Sequence, residues 1–127
     1  GLLAISEISA DCRDICKADA EGNHKAHVAR EMLLRSVKRF VGAYAAELGQ
    51  VDAMVFTAGI GENDIELREK VCENLSIMGV VIDKEKNDCR GKEVEITGEG
   101  SKVRVFIIPT NEELMIAKDT QAIVEAL

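Results

Sequence analysis

Residues 51–63, Val-Asp-Ala-Met-Val-Phe-Thr-Ala-Gly-Ile-Gly-Glu-Asn, decide the fold class. VDAMVF is a short and nearly continuous apolar run, which suits a strand buried on both faces. Thr57 to Gly61 then reads as a turn. Its glycines allow positive φ and close approach of a ligand to the backbone. Asn63 followed by Glu66 resembles a capping box and predicts a helix from Asn63 to about Leu75. A strand feeding a helix through a glycine turn is the basic unit of an α/β layer fold.

Upstream, residues 9–19 read as a short helix, and Glu21-Gly22-Asn23 breaks it. A long helix follows from His24 to Leu48, with Asn23 as N-cap and Gly49 just past its end. Ala29, Leu33, Val37, Phe40, Tyr44 and Leu48 form its apolar stripe, and Arg30 falls off it. Downstream, Gly79–Ile82 reads as a second strand. Glu93–Thr97 alternates like an edge strand, and Val103–Ile108 is a further strand that Pro109 ends. Thr110 and Glu113 suggest a capping box for a last helix from about Asn111 to Ala126. The order α-α-β-α-β-β-β-α predicts a mixed sheet flanked by helices.

Composition narrows the function. The 127 residues carry 16 basic and 23 acidic side chains, a net charge of −7, and a pI near 4.9. That balance argues against nucleic-acid binding, which needs clustered Lys and Arg. With three Phe, one Tyr and no Trp, the core has to be aliphatic. No apolar run approaches the ~20 residues of a membrane span. The opening GLLAIS lacks a basic segment and soon meets Glu7 and Asp11, unlike a signal peptide. Starting at Gly1 inside an apolar stretch, the chain reads as cut from something longer. Cys12, Cys16, Cys72 and Cys89 read as reduced thiols. Cys12, Cys16, His24 and His27 match no common zinc module.

Three segments are candidates for chemistry. VFTAGIGEN places glycine-rich backbone ahead of a helix N-terminus, a setting for a phosphate or another polar ligand edge. No Lys follows Gly61, so it is not a P-loop. Asp64 stands where a dinucleotide fingerprint needs its third small residue. On spacing alone the segment is either a ligand turn or a tight strand-to-helix connection. In Pro109–Leu114, the capping box accounts for Glu113 but not Glu112. Glu112 sits just beyond a strand end, and one carboxylate suffices for a hydrated Mg²⁺ that also engages a nucleotide phosphate. Asp11-Cys12-Arg13 offers an Arg able to stack on a purine or pair with phosphate, oriented by an Asp. As an isolated triplet it reads by default as a surface ion pair.

SADCRD, FTAGIGEN and IPTNEELMIA, in that order, resemble the C-terminal part of the acetokinase family. The resemblance runs from GLLAIS to TNEELMIAKDTQAIV. It implies the actin-like ATPase and sugar-kinase (ribonuclease H-like) fold. It also implies transfer of the γ-phosphoryl group of ATP to acetate, giving acetyl phosphate and ADP, with Mg²⁺. Carried over by position, Asp11, Cys12 and Arg13 match the adenosine-side segment. Gly59, Ile60, Gly61, Glu62 and Asn63 match the adenosine-binding loop, and Glu112 matches the Mg²⁺-associated glutamate. Residues 1–127 would then be the C-terminal nucleotide-binding portion of a cytoplasmic homodimer, with the long helix at the dimer contact. Family members are about three times as long. The acetate pocket, the catalytic Asp, and the Arg and His that stabilise the transferring phosphoryl group would therefore lie on the missing N-terminal part. The chain alone is expected to lack activity. Two alternatives remain: a propionate kinase of the same family, or a non-catalytic nucleotide-binding or interaction module.

Overall fold

The structure is a computed structural model and describes residues 1–126. Helices α1 (Leu2–Ser6), α2 (Cys12–Ala20) and α3 (His24–Leu48) come first. Then follow β1 (Ala53–Phe56), α4 (Ala58–Asn63), α5 (Ile65–Glu73), a 3₁₀ turn (Ser76–Met78) and α6 (Lys84–Asn87). β2 (Val94–Glu95), β3 (Arg104–Ile107) and α7 (Glu112–Glu125) complete the order. The expected mixed α/β architecture is present. No helix among the described residues is long and apolar enough to cross a membrane.

The sheet has the order β1-β3-β2. β1 runs parallel to β3, with Ala53 opposite Arg104 and Phe56 opposite Ile107. β2 runs antiparallel to β3, with Glu95 opposite Phe106. One face carries the core. Phe56, Val105 and Ile107 pack with Leu34 of α3, with Leu67 and Val71 of α5, and with Ile96. Each fully buried aliphatic side chain there contributes about 1.5–3 kcal/mol. A smaller cluster, Ile15, Ala26 and Ala29, fastens α2 to the first half of α3.

Several expectations need correction. β1 is an edge strand covered on one face only, so Val55 stays 47% exposed instead of buried. Within the strand only Met54 and Phe56 meet the core on that covered face. The stripe on α3 is buried at Ala29, but Phe40, Tyr44 and Leu48 face outward. Arg30, expected off the stripe, is 6% exposed because its guanidinium meets the largely buried carboxylates of Asp19 and Asp64 and the half-exposed Glu66. Gly79–Ile82 forms no full strand. Only Ile82 bridges Thr97, because the amide of Val81 goes to the Ser101 hydroxyl. None of the α7 side chains is buried.

Candidate functional site

The segment expected as a glycine turn is helix α4. Its sharp entry falls on Ala58, at φ 57°, and neither Gly59 nor Gly61 takes a positive φ. A left-handed alanine costs about 1–2 kcal/mol, and strain of this kind gathers at functional segments. The two glycines serve other ends. A Cβ on Gly61 would stand 3.2 Å from the Phe56 carbonyl carbon, so its bare backbone lets α4 fold tightly onto the end of β1. A Cβ on Gly59 would meet nothing within 4 Å, so its bare backbone faces open space.

Asp64, not Asn63, caps α5: its Oδ1 accepts from the Leu67 amide at 2.9 Å. The Asn63 side chain instead donates to the Gly59 carbonyl at 2.9 Å, closing the last turn of α4. The capping box was displaced by one residue because α4 and α5 are separate helices that meet at Asp64. At α7 the capping box is absent as well. Asn111 Oδ1 accepts from the Leu114 amide, while Thr110 donates its amide and hydroxyl to Glu62 Oε1 at 2.8 and 3.2 Å. Glu62 thereby ties α4 to the start of α7. Capping consumes neither Glu112 nor Glu113.

Asp11 caps α2, accepting from the Arg13 amide at 2.9 Å. The same carboxylate grips the Arg13 guanidinium, with Nε donating to Oδ1 at 3.0 Å and to Oδ2 at 3.1 Å. That bond to Arg13 pulls the Asp11 carboxyl down to about 2. Arg13 is 90% exposed, and its planar fork is held in one orientation while remaining open to a ligand.

A cleft of about 1160 Å³ lies between α2 and α4. Its walls bring together Asp11, Cys12, Arg13, Gly59, Ile60 and Asn63. Gly61 and Glu62 are not on those walls, since one faces Phe56 and the other Thr110. Glu112 is exposed on the first turn of α7, outside the cleft and reached from α4 through the Glu62–Thr110 tie. Sequence reading missed Arg30, Asp64 and Arg90 on the same walls. Arg30 Nη2 reaches Glu66 Oε2 at 2.7 Å and Asp64 Oδ1 at 3.5 Å, and its buried Nε has no partner. The available signal was its place one turn after Ala26, on the face that α3 buries.

The family model described as the Acetokinase family matches residues 1–118. The chain belongs to the acetokinase family. It is 54% identical over 126 residues to an acetate kinase of Moorella thermoacetica, covering 99% of this chain and 32% of that protein. It is similar to the crystal structure of Porphyromonas gingivalis acetate kinase at TM-score 0.88 and 47% identity, covering 98% of this chain and 31% of that one. A propionate kinase from Francisella tularensis is similar at TM-score 0.81 and 38% identity, covering 92% of this chain and 29% of that one. These neighbours carry the expected actin-like ATPase fold. The chain spans about a third of the length of the curated relatives it matches.

Proposed function

We propose that the protein to which these residues belong transfers the γ-phosphoryl group of ATP to acetate, giving acetyl phosphate and ADP. Residues 1–127 form its C-terminal nucleotide-binding portion. The supporting observation is the shared cleft: the Asp11–Arg13 fork and the bare backbone of Gly59 face one space large enough for a nucleoside. Asp11, Cys12, Arg13, Gly59, Ile60 and Asn63 line the adenosine site. Gly61 and Glu62 shape the helix behind it. Glu112 suits a hydrated Mg²⁺, because the Asn111 cap leaves its carboxylate free; Mg²⁺ would supply charge neutralisation at the phosphates. The groups that act on acetate and the transferring phosphoryl lie on the remainder of the protein, so these residues alone are inactive. The protein works in the cytoplasm as a homodimer to which α3 contributes.

Gly59→Leu in the full-length protein tests the reading, because its new side chain enters the cleft without striking the fold. The KM for ATP is expected to rise about tenfold, or ~1.4 kcal/mol, with the KM for acetate unchanged. No ATP-dependent acetyl phosphate formation, or an effect on acetate alone, overturns it. The similarity to a propionate kinase supports a second reading, in which propionate is the acceptor. Comparing kcat/KM for the two acids separates them.

A further inference from the structure

Cys12 and Cys16 stand one helical turn apart on α2, with their sulfurs 3.9 Å from each other. Across the cleft floor, Cys16 Sγ lies 3.6 Å from Asp64 Oδ2. The three ligand atoms all lie within 4.8 Å of one another. Tetrahedral zinc, with Zn–S of about 2.3 Å and Zn–O of about 2.0 Å, spaces two sulfurs about 3.8 Å apart and sulfur from oxygen about 3.5 Å. Two edges of that figure are therefore present before any ion enters. The third, from Cys12 to Asp64, needs to close by no more than about 1.3 Å.

We infer that Cys12, Cys16 and Asp64 form a binding site for a thiophilic divalent cation of the zinc class, one that cross-links α2 to the start of α5. The surroundings support it. Asp64 Oδ1 is held by the Leu67 amide at 2.9 Å and faces Arg30 Nη2 at 3.5 Å, which leaves Oδ2 turned toward the sulfurs. Outer bonds that fix a ligating carboxylate in this way are a regular part of metal sites. Two thiolates and a carboxylate around a dication leave one negative charge, which faces the buried Arg30, a guanidinium shared with Glu66 and Asp19. The sulfur ligands select against Mg²⁺ and Ca²⁺. Each thiol releases its proton to solvent as its sulfur ligates the ion. All three residues line the cleft, so the fourth coordination position opens into it. His24 and His27 take no part; His27 Nδ1 pairs with Asp19 at 3.0 Å. The site shares Cys12 and the cleft with the nucleotide reading, but it is argued from this geometry alone.

Cobalt titration of the full-length protein, kept reduced with a phosphine, tests the site. One equivalent of Co²⁺ is expected to give thiolate-to-cobalt charge transfer and the intense visible bands of tetrahedral cobalt, and Zn²⁺ should bleach both. Cys12→Ser, Cys16→Ser and Asp64→Asn should each weaken Co²⁺ binding at least about tenfold, the last while keeping the helix cap. Cys72→Ser and Cys89→Ser should leave the spectrum unchanged. Bands that survive in Cys12→Ser and Cys16→Ser, or only the weak bands of octahedral cobalt, overturn the proposal. Alkylation of the wild-type protein needs no variant to fold. Zn²⁺ should slow labelling of Cys12 and Cys16 at least about tenfold and spare Cys89, and equal labelling with and without Zn²⁺ overturns the site.

Discussion

Replacing Arg68 by methionine removes a guanidinium that is fully buried and stitches three segments together. Nε donates to Asn87 Oδ1 at 2.6 Å and Nη1 to the Gly61 carbonyl at 2.9 Å. Nη2 donates to the carbonyls of Asn87 and Cys89 at 2.8 and 2.7 Å. Without it, four oxygens lose a donor, at about 1–2 kcal/mol for each that water does not reach. Part of that loss is offset, because methionine no longer carries a charge into the interior; burial already pushes the Arg68 pKa below its ordinary value. The expected net loss for Arg68→Met is about 2–4 kcal/mol. Lysine keeps the charge but not the planar fork, and should recover only part of it. Urea unfolding of the full-length protein, followed by hydrogen exchange at the amides of α5 and residues 87–91, measures the effect. An Arg68→Met loss below about 0.5 kcal/mol would refute the reasoning. So would additivity of Arg68→Met with Asn87→Leu, since groups in direct contact should couple by about 1 kcal/mol or more.

Three further outcomes are expected. Arg104 holds the Glu95 carboxyl down from 4.5 to about 2. The folded pKa is depressed, so the pair's stabilisation is present above the unfolded pKa and disappears as pH falls from about 4.5 through 2. The stability gap between wild type and Glu95→Gln in urea should accordingly be present at neutral pH and close across that window; a gap unchanged at pH 2 contradicts it. Asp64→Ala should destabilise α5 by about 1 kcal/mol, and Asp64→Asn should restore most of it, read from urea midpoints. Glu62→Ala frees the Thr110 amide from its partner, and its hydrogen exchange should accelerate at least about tenfold while the amides of α3 stay unchanged.

Local rules carried part of the fold well. Asn23, His24–Leu48 and Gly49 were readable as cap, helix and terminator because each signal lies within a few residues of the end it marks. The grip of Asp11 on Arg13 was likewise legible as a neighbouring pair. Partners distant in sequence were not. Asn63 and Thr110 look like caps, yet the first closes α4 and the second turns to Glu62, 48 positions away. Val80–Ile82 has strand composition, but the Ser101 hydroxyl takes the Val81 amide. Arg30 and Arg68 are buried because carboxylates and carbonyls from other segments surround them, and helical periodicity assigns any arginine to the surface. The triplet Asp11-Cys12-Arg13 and the segment Gly59–Asn63 gained meaning only from the order of motifs. That the triplet and Gly59, Ile60 and Asn63 face one cleft is a product of how α3 and α5 hold α2 and α4.

The parallel register of β1 has a bearing on how the cleft comes into being. Ala53 finds its partner in Arg104, about fifty residues further along. Joining such distant segments costs closure entropy that local helices never meet. α3 can therefore coil as soon as its own residues are free to do so. β1, and the α4 that grows from its end, must wait until β3 exists to receive them. The wall that bears Gly59 is consequently expected to settle after α3, and mutations in β3 should slow its maturation without touching a single residue of the cleft.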